Sequence, residues 1–398
     1  MRALMGQARA GCKGYAGKRF RSLLFSSTLG SVVSLIAVLM NNMIAGNLLG
    51  EPALLIMTLA SPYLIMVMAL EVLLSAGAAV HIAIQSGRGD MGRVDEFFSG
   101  GVLACGAGGV LLAAVSLLCR DPILSMMMIP DALLPGVETY YMALLPAALI
   151  SPMDCLLVSV ILTEGDTKRM NLSVACRLLA TVLLAWGLGR LMGVAGIALA
   201  YALPMVFSGA ILCTHFRAPG NTLHFKWFFS LSDLWKNIKL GANDAMGYLF
   251  IALSTLLMNR FLMARFGSGM LAVFAVIQSL HATVTTCFDG IPQAMQPLHC
   301  AYFGEDNPAG VKRIMAVGLR AALLESGALA LLLLLTAGLV PDLYGLRIAE
   351  NRMTAVYAVR AMALCLPPTA LNYVWNAHLL YIGRPGMAMA GTTLRALA

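Results

Sequence analysis

Four carboxylates sit where water should not reach them. Glu71 lies in ALEVLLSAGAAVH, Asp154 in ISPMDCLLVSV, Asp289 in TTCFDGIPQAM and Glu325 in RAALLESGALA, each inside a longer apolar run. Burying an unpaired charge is expensive, and at a bilayer centre a carboxylate costs roughly 2.5–3.5 kcal/mol on insertion scales. An acid kept there binds a proton in the dry site and releases it once water reaches the other side. That chemistry moves a proton and breaks no bond. Neutral polar residues accompany the acids. Asp289, Gln293 and Gln296 follow i, i+4, i+7 on one helical face, and Glu71, Ser75 and Gln85 lie within about 40° of one face. Asn372 and Asn376 make an i, i+4 pair, and Asn41 and Asn259 are further amides inside apolar stretches. Coupling cations are assigned to Glu71, Asp289 and Asp154. A substrate cleft is assigned to Asn41, Ser75, Gln85, Asn259, Gln293, Gln296, Asn372 and Asn376.

Motifs for other chemistries fail. GRGDMG at 87–92 fits GxGxxG but follows an apolar helix with no strand before it, so a dinucleotide site is not expected. GxxxxGK[ST], HExxH and GxSxG are absent from the sequence. His81, His281, His299 and His378 lack metal-ligand spacing. No enzyme activity, metal or cofactor is expected.

The elements that must position these residues are membrane spans. The 398 residues are 60% hydrophobic and 12% charged, with a mean hydropathy of +0.82; soluble domains carry about 25% charged residues. Runs near the roughly 20 residues that a bilayer core demands are read at 22–49, 53–84, 97–119, 134–162, 172–190, 194–216, 241–264, 270–301, 314–340 and 354–382, with part of an eleventh from Met387. Pro62, Pro152, Pro292 and Pro367 fall inside them, as membrane helices allow. Lys and Arg gather in the tail and alternate loops, at Arg88, Arg93, Lys168, Arg169, Lys226, Lys236, Lys312, Arg313 and Arg384, which places the amino terminus in the cytoplasm. The same asymmetry accounts for the net charge of +8 without a nucleic-acid partner. Arg177, Arg320 and Arg360 are expected to snorkel from span ends. The nine cysteines form no CxxC and are read as packing residues.

The basic, aromatic segment RAPGNTLHFKWFFSLSDLWKNIK, 217–239, divides the spans and is expected at the cytoplasmic membrane interface. Shifting the sequence by 218 positions aligns Asn41 with Asn259, Glu71 with Asp289, His81 with His299, Asp154 with Asn372, Gly165 with Gly383 and Arg177 with Arg395, with a one-residue slip near Gly87. Glu325 meets only Ala107 or Gly106 and is read as structural. Six spans per half make the repeats parallel, related by an axis along the membrane normal. The expected organisation is a tail 1–21, an N-lobe 22–216, a linker 217–240 and a C-lobe 241–398. On this reading the second half is about 37 residues shorter than the first.

IAGNLLGEPAL, GAAVHIAIQSGRGD, LTEGDTKRMNL, LMGVAGIALAYAL and GIPQAMQPLHCAYFGEDNPAGVKR resemble, in order, signatures of the multidrug and toxic compound extrusion (MATE) transporters. The resemblance implies two six-helix lobes around a central cleft and cation-coupled export of organic, often cationic, compounds. It also exposes departures. Many members carry an aspartate where this chain has Asn41, another where it has Leu184, an asparagine where it has Ala180, and in some subgroups an acid near Ile251.

The expectation is therefore an all-α polytopic protein of a bacterial inner membrane, a monomer, exporting small organic molecules against proton or sodium entry. Two alternatives stand beside it. A flippase for lipid-linked sugars would need basic residues deep in the cleft to meet a pyrophosphate. A shortened, non-transporting membrane protein would fit the missing aspartates.

Overall fold

Long apolar runs punctuated by Gly and Pro fold as spans whose ends can be read residue by residue. The structure, a computed structural model, describes residues 13–127, 129, 131–218, 220–343 and 349–397. In chain order the helices are α1 Lys13–Leu49, α2 Glu51–Arg88, α3 Met91–Leu118, α4 Arg120–Met126, α5 Leu134–Glu164, α6 Thr167–Met192 and α7 Val194–Cys213. They continue as α8 Leu231–Phe288, α9 Gly290–Gly304, α10 Pro308–Thr336, α11 Val340–Leu343, α12 Ala349–Tyr381 and α13 Pro385–Leu397.

Among the described residues, eight helices are long and apolar enough to cross a membrane, by length and composition. The α8 run folds back on itself. Gln278 Nε2 donates to Thr255 Oγ1 at 2.5 Å, whereas 23 residues of straight helix would hold them roughly 34 Å apart. The run therefore doubles back between these residues. Outward faces are apolar, with Leu118, Leu183 and Leu335 exposed, as a chain solvated by lipid requires. One lobe packs α2, α3, α5, α6 and α7 together, and a second packs α8, α9, α10, α12 and α13.

Matching caps carry the repeat into three dimensions. Gly165 ends α5 at φ 76° and its equivalent Gly383 follows α12 at φ 72°, a left-handed conformation in which glycine avoids the Cβ penalty. Asp90 caps α3 by accepting from Arg93 N, and Asn307 caps α10 by accepting from Gly310 N.

The lobes meet where α2 crosses α9. A Cβ on Gly87 would lie 2.2 Å from the Ala301 carbonyl oxygen, and one on Gly304 would lie 2.1 Å from that of Ile84. The α2–α9 crossing needs glycine on both sides because backbone meets backbone. An apolar seal surrounds it, with Phe20, Leu23, Val80, Ala83, Ile84 and Leu162 joining the core of the second lobe. Ser27 Oγ of α1 donates to the Gly290 carbonyl at 2.7 Å. The crossing lies at the end of the molecule that carries Arg88, Arg93 and Lys236, called here the basic end.

Side-chain ties bind the inter-lobe segment to the first lobe. Thr222 Oγ1 donates to Glu164 at 2.8 Å, His224 N to Asp95 at 2.9 Å and Lys226 N to Ser99 at 2.8 Å. Asp233 takes Arg93 at 3.1 Å and Lys236 at 2.8 Å. Burial alone would raise the Asp233 carboxyl, but Lys236 and Arg93 outweigh it and hold the group below its ordinary value.

Overpacking a tight site typically costs about 1–3 kcal/mol. Gly87→Ala and Gly304→Ala should each lower the thermal unfolding midpoint of the purified protein, while Gly209→Ala, with open space around its Cβ position, should not. Equal melting of all three would contradict the backbone contact.

Candidate functional site

The first lobe holds an ion pair with a buried carboxylate and a half-buried arginine. Arg177 Nη1 of α6 donates to Asp154 Oδ2 of α5 at 2.7 Å, and Ser208 Oγ of α7 donates to Asp154 Oδ1 at 3.0 Å. Asp154 is 5% exposed. Arg177 does not snorkel, as its place near a span end led one to expect. It turns inward because a carboxylate with no other cation waits at its own depth, and leaving that charge unpaired would cost more than burying both.

Glu71 of α2 completes the cluster. Its carboxyl lies in the field of Arg177 and Asp154, and Ser151 faces it, short of hydrogen-bond geometry. Tyr201 of α7 stands beside Glu71 and Arg177. Ser75 turns into the lobe instead of toward a cleft, donating to the Glu71 carbonyl at 2.6 Å and meeting Cys155 Sγ at 3.1 Å. With Arg177 committed to Asp154, Glu71 is the member whose charge is not matched one to one.

Tyr248 of α8 lies within the electrostatic field of Asp289, Glu71 and Asp244. Glu71 belongs to α2 in the first lobe, and Asp289 marks the α8–α9 junction in the second. Asp289 sits half-buried where α8 gives way to α9. Beyond it the second lobe holds a polar chain. Asn376 Nδ2 of α12 donates to Thr392 Oγ1 of α13 at 2.9 Å, Thr392 donates to Asn243 Oδ1 of α8 at 2.9 Å, and Asn243 Nδ2 donates to Asp244 Oδ1 at 2.9 Å.

The remaining assigned residues scatter. Gln293 and Gln296 are half-buried along α9. The Gln296 amide nitrogen and the amide oxygens of Asn372, Asn376 and Asn41 find no hydrogen-bond partner among the described residues. Gln85 lies away from Glu71, in a cavity of about 530 Å³ at the basic end with His81, Arg88 and Lys236. The side chain of Asn259 falls outside the described residues. Asp154 and Asn372 stay in separate lobes, and Glu325 is half-buried near Cys287. His299 Nε2 meets His378 Nδ1 at 2.8 Å; among the described residues no three His, Cys, Asp or Glu converge as a metal site would need.

Comparison with known proteins decides the fold. A family model described as MatE matches residues 23–187. An outward-facing multidrug resistance MATE family transporter of the MOP superfamily superposes with a TM-score of 0.88 at 19% identity, over 96% of this chain and 86% of that one. The fold is that of the MATE transporters. A MATE protein in a bent conformation gives a TM-score of 0.87 at 19% identity, over 97% and 86%. A MOP superfamily transporter from Pyrococcus furiosus, described as having a binding pocket of reverse polarity that suggests a different function, gives 0.88 at 19%, over 96% and 86%. No curated protein sequence matches the chain. Within the MATE fold, the cluster of Glu71, Asp154 and Arg177 lies in the first lobe, in the part the family model covers apart from Tyr201 and Ser208.

Sequence reasoning missed Tyr248, Tyr201, Ser208 and the Asn243–Asp244–Thr392 chain. Asn243 and Asp244 stood at a span boundary, where polar residues are ordinary; their spacing to Tyr248, i and i+4 from Asp244, was the available signal.

Removing one partner of a buried pair typically costs about 3–5 kcal/mol, more than removing both. Arg177→Met should therefore destabilise the protein by about that amount in thermal unfolding, and Asp154→Asn combined with Arg177→Met should recover part of the loss. A double variant as unstable as the sum of the singles would mean that the two side chains do not act as a pair.

Proposed function

We propose that the chain is a secondary active exporter of small organic cations, driven by inward proton flow across the cytoplasmic membrane of a bacterium. Its amino terminus and basic end lie in the cytoplasm, since the basic residues gather there. The observation that supports the reading is the Arg177–Asp154 pair, which commits the cation beside Glu71 to another carboxylate. On this reading Glu71 from the first lobe and Asp289 from the second serve one junction.

Such an arrangement favours a cation or a proton and disfavours an anion. When both acids carry charge, a cationic substrate offsets them; when protons do, the substrate is released. Exchange requires that each ligand bind one arrangement of the lobes better than the other, because a ligand shifts an equilibrium only through differential affinity. The same polarity argues against a lipid-linked sugar, whose pyrophosphate would meet acids and an arginine already taken. Asn41, Gln293, Gln296 and Asn372 bring amides that suit substrate contact, and the first lobe's cluster holds Glu71 in place.

One observation favours sodium instead. Asp244, Asn243, Thr392 and Asn376 gather oxygens in the second lobe, the hard ligands an alkali cation prefers.

The test uses reconstituted vesicles carrying the full chain and a cationic fluorescent dye. An imposed proton gradient should drive dye transport, and Glu71→Gln or Asp289→Asn should reduce it to background while leaving insertion and folding intact. Transport by Asp289→Asn equal to that of the parent would remove Asp289 from the mechanism. Transport driven by a sodium gradient at equal pH would replace the proton with sodium.

A further inference from the structure

The segment joining the lobes has its polarity reversed for a protein in water. In the first turns of α8, Leu231, Trp235 and Lys239 recur at i, i+4 and i+8 and form an exposed stripe; Leu231 is 73% and Trp235 58% exposed. The face turned into the protein carries Asp233 and Asn237, 8% and 2% exposed. Just upstream, residues 224–229 are all exposed, Trp227 at 88%.

The aromatic side chains cannot be gathered inward without breaking ties already described. His224 and Lys226 are held to Asp95 and Ser99 by their backbone nitrogens, and Lys226 Nζ also meets Asp95 at 2.9 Å. Asp233 is fixed by Arg93 and Lys236. An apolar surface left in water forfeits roughly 25 cal/mol per Å². At the level of lipid headgroups that cost disappears, and indole rings are at home there. The segment also has a sign: Arg217, Lys226, Lys236 and Lys239 stand against Asp233. Lys239 Nζ lies 5.5 Å from the Trp235 ring centre, so the stripe's cation and its indole form one unit.

We propose that residues 224–239 form a binding surface for anionic phospholipid in the leaflet at the basic end. The indoles of Trp227 and Trp235 sit at the headgroup–acyl boundary, and Lys226 and Lys239 meet headgroup phosphates. The surface lies on the covalent joint between the lobes, directly before α8 closes on α2 at Gly241 and the Leu73 carbonyl. Acidic lipid bound there steadies that joint. The inference stands apart from the transported substrate and the coupling ion.

The test follows tryptophan fluorescence in the full chain, in bilayer nanodiscs. Trp186→Phe and Trp375→Phe leave Trp227 and Trp235 as the reporters. Lipids brominated near the top of the acyl chain should quench them. Quenching at a given bromolipid fraction should be stronger when the brominated species is phosphatidylglycerol than when it is phosphatidylcholine. Lys226→Gln and Lys239→Gln should each lower that preference about fivefold, the factor expected for one basic residue at an anionic surface. Should the variants not fold, the comparison of the two lipids in the parent decides. Quenching by aqueous iodide with none by bromolipid would overturn the surface; equal quenching by both bromolipids would overturn its assignment to anionic headgroups.

Discussion

A charge inside a lipid-solvated helix bundle must be matched, neutralised or reached by water, and the interior of this protein is arranged around that constraint. Asp154 and Arg177 satisfy it by pairing, with Ser208 taking the second carboxylate oxygen. Glu71 lies beside this finished pair, which does not match its charge one to one. Pairs of this kind contribute little net stability. In this protein the pair commits Arg177 to Asp154 and leaves Glu71 beside it.

The second constraint is how closely two helices can approach. Gly87 and Gly304 let α2 and α9 cross backbone to backbone, and apolar side chains surround the crossing. The joint is also where the connecting segment passes, tied to the first lobe by Asp95, Ser99 and Glu164.

Much of this was legible in the residues. Hydropathy located the long apolar helices, because span length follows bilayer thickness. The repeat was visible through polar residues coinciding inside apolar helices, and the slip near Gly87 reappears as the matched positions of Asp90 and Asn307 at two helix starts. Partners within the site were not legible. Arg177 read as a snorkelling residue because sequence gives distance from a span end but not what waits across the helix interface. Ser75 read as cleft-facing because it shares a face with Glu71, yet that face is wide enough to point one residue into the lobe and the other toward the junction. Tyr248 was hidden because a tyrosine in a span is commonplace until its neighbours are known.

The account rests on Glu71 and Asp289 changing their protonation while the Asp154–Arg177 pair keeps its charges. Infrared difference spectroscopy of the full chain in lipid, recorded on adding a transported cation, measures this directly. A protonated-carboxyl band should be lost as the cation binds; its intensity in the difference spectrum should fall in Glu71→Gln and vanish when Asp289→Asn is added, but be retained in Asp154→Asn combined with Arg177→Met. A band that survives Glu71→Gln unchanged would contradict the account.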